Sequence, residues 1–148
     1  MPGRPQIVFA CRKNAGRSLA SRVLAEHYAG DRVVALSAGT EPGAVVHPEV
    51  VAVLTDLGLD TSQEHPKLLT RETIAASDIA VTLGCGETCP HVSGVRYVDW
   101  PVDDPGGQDD GTVRRIVADL DGRVRELLVE LVPDLYLPPS VFDAASAG

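Results

Sequence analysis

Short apolar runs alternate with longer segments of helical periodicity along most of the chain. Runs such as QIVFA, RVVAL and IAVTL predict β-strands at residues 6–10, 32–36, 79–83 and, more briefly, 95–98. Apolar residues at three- and four-residue spacing predict helices at residues 17–29, 47–59, 70–77 and 112–131. Strands that alternate with helices indicate an α/β fold, in which a parallel sheet is covered by helices on both faces.

A single domain accounts for this pattern. The chain has 148 residues, no internal repeat and no linker, so residues 1–132 are expected to form one folded unit. Residues 133–148 are rich in Pro and then in Ala, and we expect this tail to be loosely held.

The charge and the apolar runs exclude several classes of partner. The net charge is −8, which argues against nucleic acid and against anionic membrane surfaces. No apolar run reaches the roughly 18 residues that a membrane span needs, and the N-terminus lacks the apolar core of a signal peptide. We therefore expect a cytoplasmic protein, and we expect it to be a monomer.

The cysteine content points to chemistry rather than to a structural framework. The chain contains three cysteines, Cys11, Cys85 and Cys89. In the cytoplasm these thiols should be reduced at rest, and an odd number fits catalysis better than a set of disulfides.

The segment between the first strand and the first helix has the form C-x5-R-S. A loop that leads into a helix N-terminus turns backbone N–H groups inward and forms a cradle for an anion. Arg17 can add a bidentate fork to such an oxyanion, and the same positive field should favour the thiolate of Cys11, a nucleophile. The alternative is that Cys11 is a small buried apolar residue and Arg17 a surface residue. It does not explain why the motif lies between a strand and a helix and ends in Ser18. The candidate binding residues are Arg12, Lys13, Asn14, Ala15, Gly16, Arg17 and Ser18, the last of which can bond the thiolate or cap the helix.

The run C-x-x-N-A-G-R-S resembles the nucleophile loop of arsenate reductases built on the low-molecular-weight tyrosine phosphatase fold. The resemblance continues through Ser37–Thr40, His47–Glu49, the cysteine region and the segment from Trp100 to Pro105. It implies a four-stranded parallel sheet flanked by helices. It also implies that Asp104, which precedes Pro105, is the general acid, with Asp103 as the less suitable neighbour; without the resemblance, Asp104 would be taken for a turn residue.

Two features favour the reductase over the phosphatase. Phosphatases of this fold usually carry aromatic residues after the Asp-Pro pair, whereas Gly106 and Gly107 follow here and offer no platform for a phenol ring. Reduction of arsenate needs two electrons, which the thiol pair Cys85 and Cys89 can supply. A phosphatase, or a module that only binds an oxyanion or arsenite, remains the alternative.

The sequence does not decide between two electron donors. The resemblance to thioredoxin-linked members implies that Cys85 attacks Cys11 and that Cys89 then attacks Cys85, and we favour this relay. The close spacing of the two cysteines instead resembles members that use mycothiol with a mycoredoxin, in which only the loop cysteine is essential. No bound cofactor is expected. Cys85, Cys89 and His91 could chelate a soft metal, but no fourth ligand is evident, so no metal site is predicted.

Two further positions bear on the loop. Some members bind a monovalent cation through the loop Asn and a Glu five residues after the loop Arg; this chain has Arg22 there. We therefore expect no cation site and expect Asn14 to brace the loop by hydrogen bonds. His47, beside Pro48 at a predicted helix start, is a weaker candidate for a role near the active site.

Overall fold

The computed structural model of the chain describes residues 4–62, 64–84 and 90–143. Four parallel strands form one sheet in the order β2-β1-β3-β4: β1 Gln6–Cys11, β2 Val34–Gly39, β3 Ile79–Leu83 and β4 Arg96–Asp99. The helices are α1 Arg17–Ala29, α2 Pro48–Asp56, α3 Arg71–Ala75 and α4 Asp110–Leu131, with a short 3₁₀ turn at Gly30–Arg32. The predicted fold class is confirmed.

The period of two along β1 divides the core between the two faces of the sheet. Ile7 and Phe9 pack in the larger cluster with apolar residues of α1, α2 and α4. Val8 and Ala10 pack in a smaller cluster with Ile74 of α3. Because β1 is central and buried on both faces, its apolar run is continuous rather than alternating.

Parallel pairing brings the carboxyl ends of the strands to one edge of the sheet. Cys11, the last residue of β1, lies opposite Gly39 of β2 and Leu83 of β3. The loop after Cys11 therefore begins between two neighbouring strand ends, where ligands of open α/β sheets usually bind.

The prediction for β2 was wrong at both ends. The strand was expected at residues 32–36, but it begins at Val34 and continues to Gly39. The 3₁₀ turn takes up residues 30–32, and pairing with β1 extends the strand through the less apolar Ser37 and Ala38. Pairing with β1, rather than the apolar residues of β2 itself, thus determines where β2 ends.

The prediction of a loosely held tail was also wrong as far as Asp143. Val141 is buried in the larger cluster, and its N–H donates to the Tyr28 hydroxyl at 3.0 Å. The Ser140 hydroxyl donates to Asp121 at 2.7 Å. Buried partners on α1 and α4 therefore hold this segment, which local composition could not indicate.

Among the described residues, no helix is both long enough and apolar enough to cross a membrane.

Candidate active site

The path of the loop after β1 is set by backbone hydrogen bonds to the segment that follows β2. The carbonyls of Cys11, Arg12, Lys13 and Ala15 accept N–H groups of residues 40, 41, 43 and 47 at 2.7–3.2 Å. Because the N–H of a trans peptide points opposite to its C=O, the loop amides are turned away from that segment. N–H groups turned in this way are what the anion cradle predicted from the sequence requires.

Asn14 takes the left-handed conformation, with φ of 52°, and is fully buried. Its own N–H donates to the Cys11 sulfur at 3.1 Å. The turn therefore folds the chain back over the thiol, and Asn is among the few non-glycine residues that adopt this conformation readily.

The Cys11 thiol lies at the end of a chain of hydrogen bonds. The Lys67 N–H donates to Asn14 Oδ1 at 2.9 Å, which fixes the orientation of the amide. Asn14 Nδ2 then donates to Ser18 Oγ at 2.7 Å, and Ser18 Oγ lies 2.9 Å from Cys11 Sγ. Since the Ser18 oxygen already accepts, its proton is free to donate to the sulfur. Two hydrogen-bond donors, the Asn14 N–H and the Ser18 hydroxyl, therefore face the Cys11 sulfur.

The Arg17 guanidinium is held at the wall of the site. Its Nη1 donates to the Val102 carbonyl at 3.0 Å, and its side chain is 15% exposed. A Cβ built on Gly84, whose φ is +82°, would lie 2.5 Å from the same nitrogen. Glycine at residue 84 therefore lets the chain pass close to the guanidinium.

Asp104 and His47 face each other across the mouth of the site. Asp104 Oδ2 lies 4.0 Å from Arg17 Nη2, and Asp104 Oδ1 lies 4.0 Å from His47 Nε2. The Gly106 N–H donates to Asp104 Oδ1 at 2.9 Å. His47 Nδ1 in turn lies 3.6 Å from Glu49 Oε1. Arg17, His47 and Asp104 thus bring a guanidinium, an imidazole and an exposed carboxyl group to the site that contains the Cys11 thiol.

These groups enclose a small polar cavity of about 190 Å³, lined by Cys11, Arg12, Lys13, Ala15, Gly16, Arg17, His47, Gly84 and Asp104. A larger hollow of about 280 Å³ lies between α1 and residues 58–60. Its lining residues include no cysteine, so we place the thiol chemistry in the smaller cavity.

Residues 6–135 match the family of low molecular weight phosphotyrosine protein phosphatases. The chain belongs to this family. The match includes the strand, loop and helix that carry the thiol, as well as the Asp104 segment.

Several relatives of this phosphatase-family chain are named as arsenate reductases. A Halobacterium salinarum protein named "Putative arsenate reductase" is 37% identical over 131 residues, which cover 85% of this chain and 92% of that protein. Arsenate reductase 1 of Bacillus cereus is 28% identical over 132 residues, covering 85% and 96%. The solved thioredoxin-dependent arsenate reductase of Corynebacterium glutamicum is 40% identical, with a TM-score of 0.78. That likeness covers 88% of this chain but 63% of the Corynebacterium chain, which is less than two thirds.

The structure of this phosphatase-family member brings most of the predicted site residues together. Cys11, Arg17 and Asp104 line one cavity, with Asn14 and Ser18 beneath the thiol. Asp103 is not among the residues that line it. Cys85 and Cys89 lie outside the described residues.

Four contributors to the site were given no role by the sequence analysis. They are the Val102 carbonyl, the Lys67 N–H, the Glu49 carboxylate and the closely packed Gly39. Gly39 and Glu49 lie within the segments Ser37–Thr40 and His47–Glu49 that carry the resemblance, but neither was given a role there. The Val102 carbonyl had no local signal, because it acts through a contact with Arg17, 85 residues earlier in the chain. The Lys67 N–H likewise acts through a contact with Asn14, 53 residues earlier.

Arg22, at the position where some family members have a Glu that binds a monovalent cation, takes part in ion pairs. Its Nη1 donates to Glu64 Oε2 and its Nη2 to Glu26 Oε2, both at 2.6 Å. A guanidinium repels a metal cation, so this residue does not fit such a site. No group of three or more His, Cys, Asp or Glu arranged for a metal occurs in the described part of the chain.

Proposed function

We propose that this protein is an arsenate reductase that converts arsenate to arsenite, with the Cys11 thiolate as nucleophile. The observation that supports the proposal is the buried Cys11 thiol, which accepts the Asn14 N–H and lies 2.9 Å from the Ser18 hydroxyl oxygen. Its relatives named as arsenate reductases support the choice of oxyanion. The activity is that of a thiol-dependent oxidoreductase.

The first step forms a bond between sulfur and arsenic. The cradle and Arg17 hold the oxyanion with its central atom above Cys11 Sγ, which replaces diffusion by a fixed geometry. The thiolate attacks arsenic(V), and one arsenic–oxygen bond breaks. Asp104 protonates the departing oxygen, which leaves as water. Its exposure at the cavity mouth allows it to regain a proton from solvent.

The second step carries the electrons. A second thiolate attacks Cys11 Sγ, and the sulfur–arsenic bond breaks with its electron pair remaining on arsenic. Arsenic(V) becomes arsenic(III), and the two sulfurs are joined as a disulfide. Two thiols are oxidised for each arsenate reduced, and one water is released, so a donor outside this chain must reduce the final disulfide.

The donor is a thiol system, and we propose thioredoxin as its final component. Cys85 follows directly in sequence after Gly84, a residue of the cavity wall, so it is the candidate for the second thiol, with Cys89 closing the disulfide. Mycothiol with a mycoredoxin is the alternative donor. In that case the external thiol attacks Cys11, and neither later cysteine is needed.

Phosphoester hydrolysis is the second candidate because it is the activity named by the family. The rim of the cavity does not favour it. No Phe, Tyr or Trp is among the described lining residues, and His47 and Gly16 occupy one side of the opening. A phenol ring would therefore find little stacking surface.

A coupled assay compares the proposed donors. Purified protein is supplied with arsenate and either thioredoxin with its reductase or mycothiol with mycoredoxin, and NADPH oxidation and arsenite are measured. The expected result is thiol-dependent arsenite formation, with negligible hydrolysis of p-nitrophenyl phosphate. Hydrolysis without arsenite formation would establish the phosphatase, and oxyanion binding without either activity would establish a binding module.

A single-turnover reaction without added thiol tests the relay. The relay predicts arsenite release and a Cys85–Cys89 disulfide, detected by mass spectrometry. If arsenite appears only after a small thiol is added, and Cys85→Ser and Cys89→Ser then match the parent, the external-thiol route is correct.

A further inference from the structure

We propose that the Arg22–Glu64 ion pair is a positioning device for the Cys11 nucleophile. Neither residue touches the cavity, and the pair acts through the segment 64–67. The proposal rests on the role of Cys11 proposed above, but it does not depend on which oxyanion is the substrate.

The first observation is the burial of Glu64, the acidic member of the pair. The Glu64 side chain is 5% exposed, and its Oε2 accepts from Arg22 Nη1 at 2.6 Å. Its Oε1 is buried and has no hydrogen-bond partner among the residues that the structure describes. A buried carboxylate with one unsatisfied oxygen depends strongly on the cation with which it forms an ion pair. Arg22 therefore holds residue 64 against α1.

The second observation connects this pair to the thiol. Three residues after Glu64, the Lys67 N–H donates to Asn14 Oδ1 at 2.9 Å, and the Lys67 carbonyl accepts the Gly39 N–H at 2.8 Å. Asn14 is the residue that orients the Ser18 hydroxyl toward Cys11. If segment 64–67 shifted, the amide could turn and the thiolate would lose one donor.

Helix α1 provides a second connection between the ion pair and the thiol. Ser18 and Arg22 are four residues apart, so their side chains lie on the same face of the helix. The nucleophile's hydrogen-bond donor and the anchor of segment 64–67 are therefore carried by one rigid element. This arrangement explains how a pair outside the cavity can set the geometry inside it.

The charges around the pair make Glu64 the more sensitive member. Burial lowers the pKa of the Lys67 ammonium group. The charge of Glu64 raises this pKa, and the charge of Arg22 lowers it further. Arg22 also contacts the exposed Glu26. Without the Glu64 charge, Arg22 and Lys67 would face each other as two cations with no buried counter-ion between them.

The Arg22 guanidinium also supplies a fixed positive charge beside the loop. A monovalent cation is repelled there, for the reason given above. Oxyanion affinity should therefore be independent of potassium, in contrast to family members that use such an ion.

Site-resolved alkylation tests the positioning role. Glu64→Gln and Arg22→Lys are compared with the parent and with Glu26→Gln, which removes the exposed partner of the same guanidinium. The rate of iodoacetamide reaction is followed across pH by mass spectrometry of the peptide that contains Cys11. Phosphate affinity is measured in parallel by calorimetry, and folding by circular dichroism.

Glu64→Gln is expected to slow Cys11 alkylation at neutral pH by between about 2-fold and 30-fold, the range for coupling through side-chain networks. Its pH profile should move to higher pH. Arg22→Lys, which keeps the charge, should fall between this variant and the parent, and Glu26→Gln should match the parent. A folded Glu64→Gln with parental alkylation and phosphate affinity would overturn the proposal, as would an equal effect of Glu26→Gln.

If Glu64→Gln does not fold, Arg22→Lys decides between the outcomes. A change in the Cys11 pH profile at unchanged thermal stability supports positioning, whereas a loss of stability with an unchanged profile makes the pair merely structural. Replacing potassium chloride by choline chloride should leave the parent's phosphate affinity unchanged, and a marked potassium dependence would contradict the role of the guanidinium charge.

Discussion

At the scale of single residues, Cys11 and Arg17 have separate proposed roles. Cys11 attacks the oxyanion, and Arg17 binds it. Cys11→Ser is expected to abolish arsenate reduction while phosphate, as an oxyanion, still binds, because the cradle consists of backbone amides and Arg17. Arg17→Lys should instead weaken phosphate binding, since an ammonium group cannot reproduce the planar fork of the guanidinium. Arsenite formation and calorimetric phosphate affinity measure the two effects. Substantial reduction by Cys11→Ser would exclude the proposed nucleophile.

The choice between two neighbouring carboxylates is also a question at this scale. Asp104→Ala should slow the first turnover by roughly 10²- to 10⁴-fold, the usual effect of losing a general acid. Asp103→Ala is the matched control, because Asp103 is not among the residues that line the cavity. Rapid-quench measurement of the sulfur–arsenic adduct reports the rate. Normal adduct formation in Asp104→Ala together with slow formation in Asp103→Ala would reverse the assignment.

At the scale of elements, the nucleophile loop depends on the close approach of the end of β2. A Cβ on Gly39 would lie 2.6 Å from the Arg12 carbonyl oxygen and 2.8 Å from the Asn14 nitrogen. Gly39→Ala should therefore displace the loop, destabilise the protein by about 1–3 kcal/mol and weaken phosphate binding. Urea unfolding and calorimetry measure these two effects.

Gly122→Ala on α4 is the matched control for this substitution. A Cβ on Gly122 meets no atom within 4 Å other than those of its own helical turns, and alanine is favoured over glycine within a helix by about 0.5–1 kcal/mol. The same chemical change should thus stabilise the protein here without altering phosphate affinity. If both variants lost stability equally, the close contact at Gly39 would not be the cause.

At the scale of the whole molecule, a buried polar cluster joins α1, α4 and the C-terminal segment. The Tyr28 hydroxyl donates to Asp121 and accepts the Val141 N–H, and Ser140 donates to the same carboxylate. Burial, and then the hydrogen bond to Asp121, raise the pKa of Tyr28 above its usual value of 10.0. The folded state therefore favours the neutral phenol.

This shift predicts a loss of stability at alkaline pH. The contribution of Tyr28 is fully present below the unfolded pKa, near pH 10, and is lost as the pH rises through the higher folded pKa. Tyr28→Phe should cost about 1–3 kcal/mol at pH 8, because it leaves buried partners unsatisfied, and should lose less stability between pH 8 and 11 than the parent. Urea unfolding across this range tests it, and parallel pH profiles of the two proteins would contradict the shift.

The local pattern predicted some elements better than others. The bounds of α1 and β3 agree with the prediction. A glycine directly follows each of these elements, Gly30 and Gly84, and marks its end in the sequence. β2 was misplaced because its pairing with β1, rather than its own composition, determines where it ends. The chemistry of the loop was also accessible from the sequence, since eight consecutive residues carry the thiol, the cradle and the fork.

The sequence by itself thus determined the α/β class, the loop that carries Cys11 and the absence of a carboxylate at position 22. Only the tertiary structure decided which distant groups meet there. The Val102 carbonyl reaches Arg17, Lys67 reaches Asn14, and Glu64 reaches Arg22, across separations of 85, 53 and 42 residues. Periodicity and motifs report contacts within a few residues, whereas such pairs exist only after the parallel sheet has brought its strand ends to one edge.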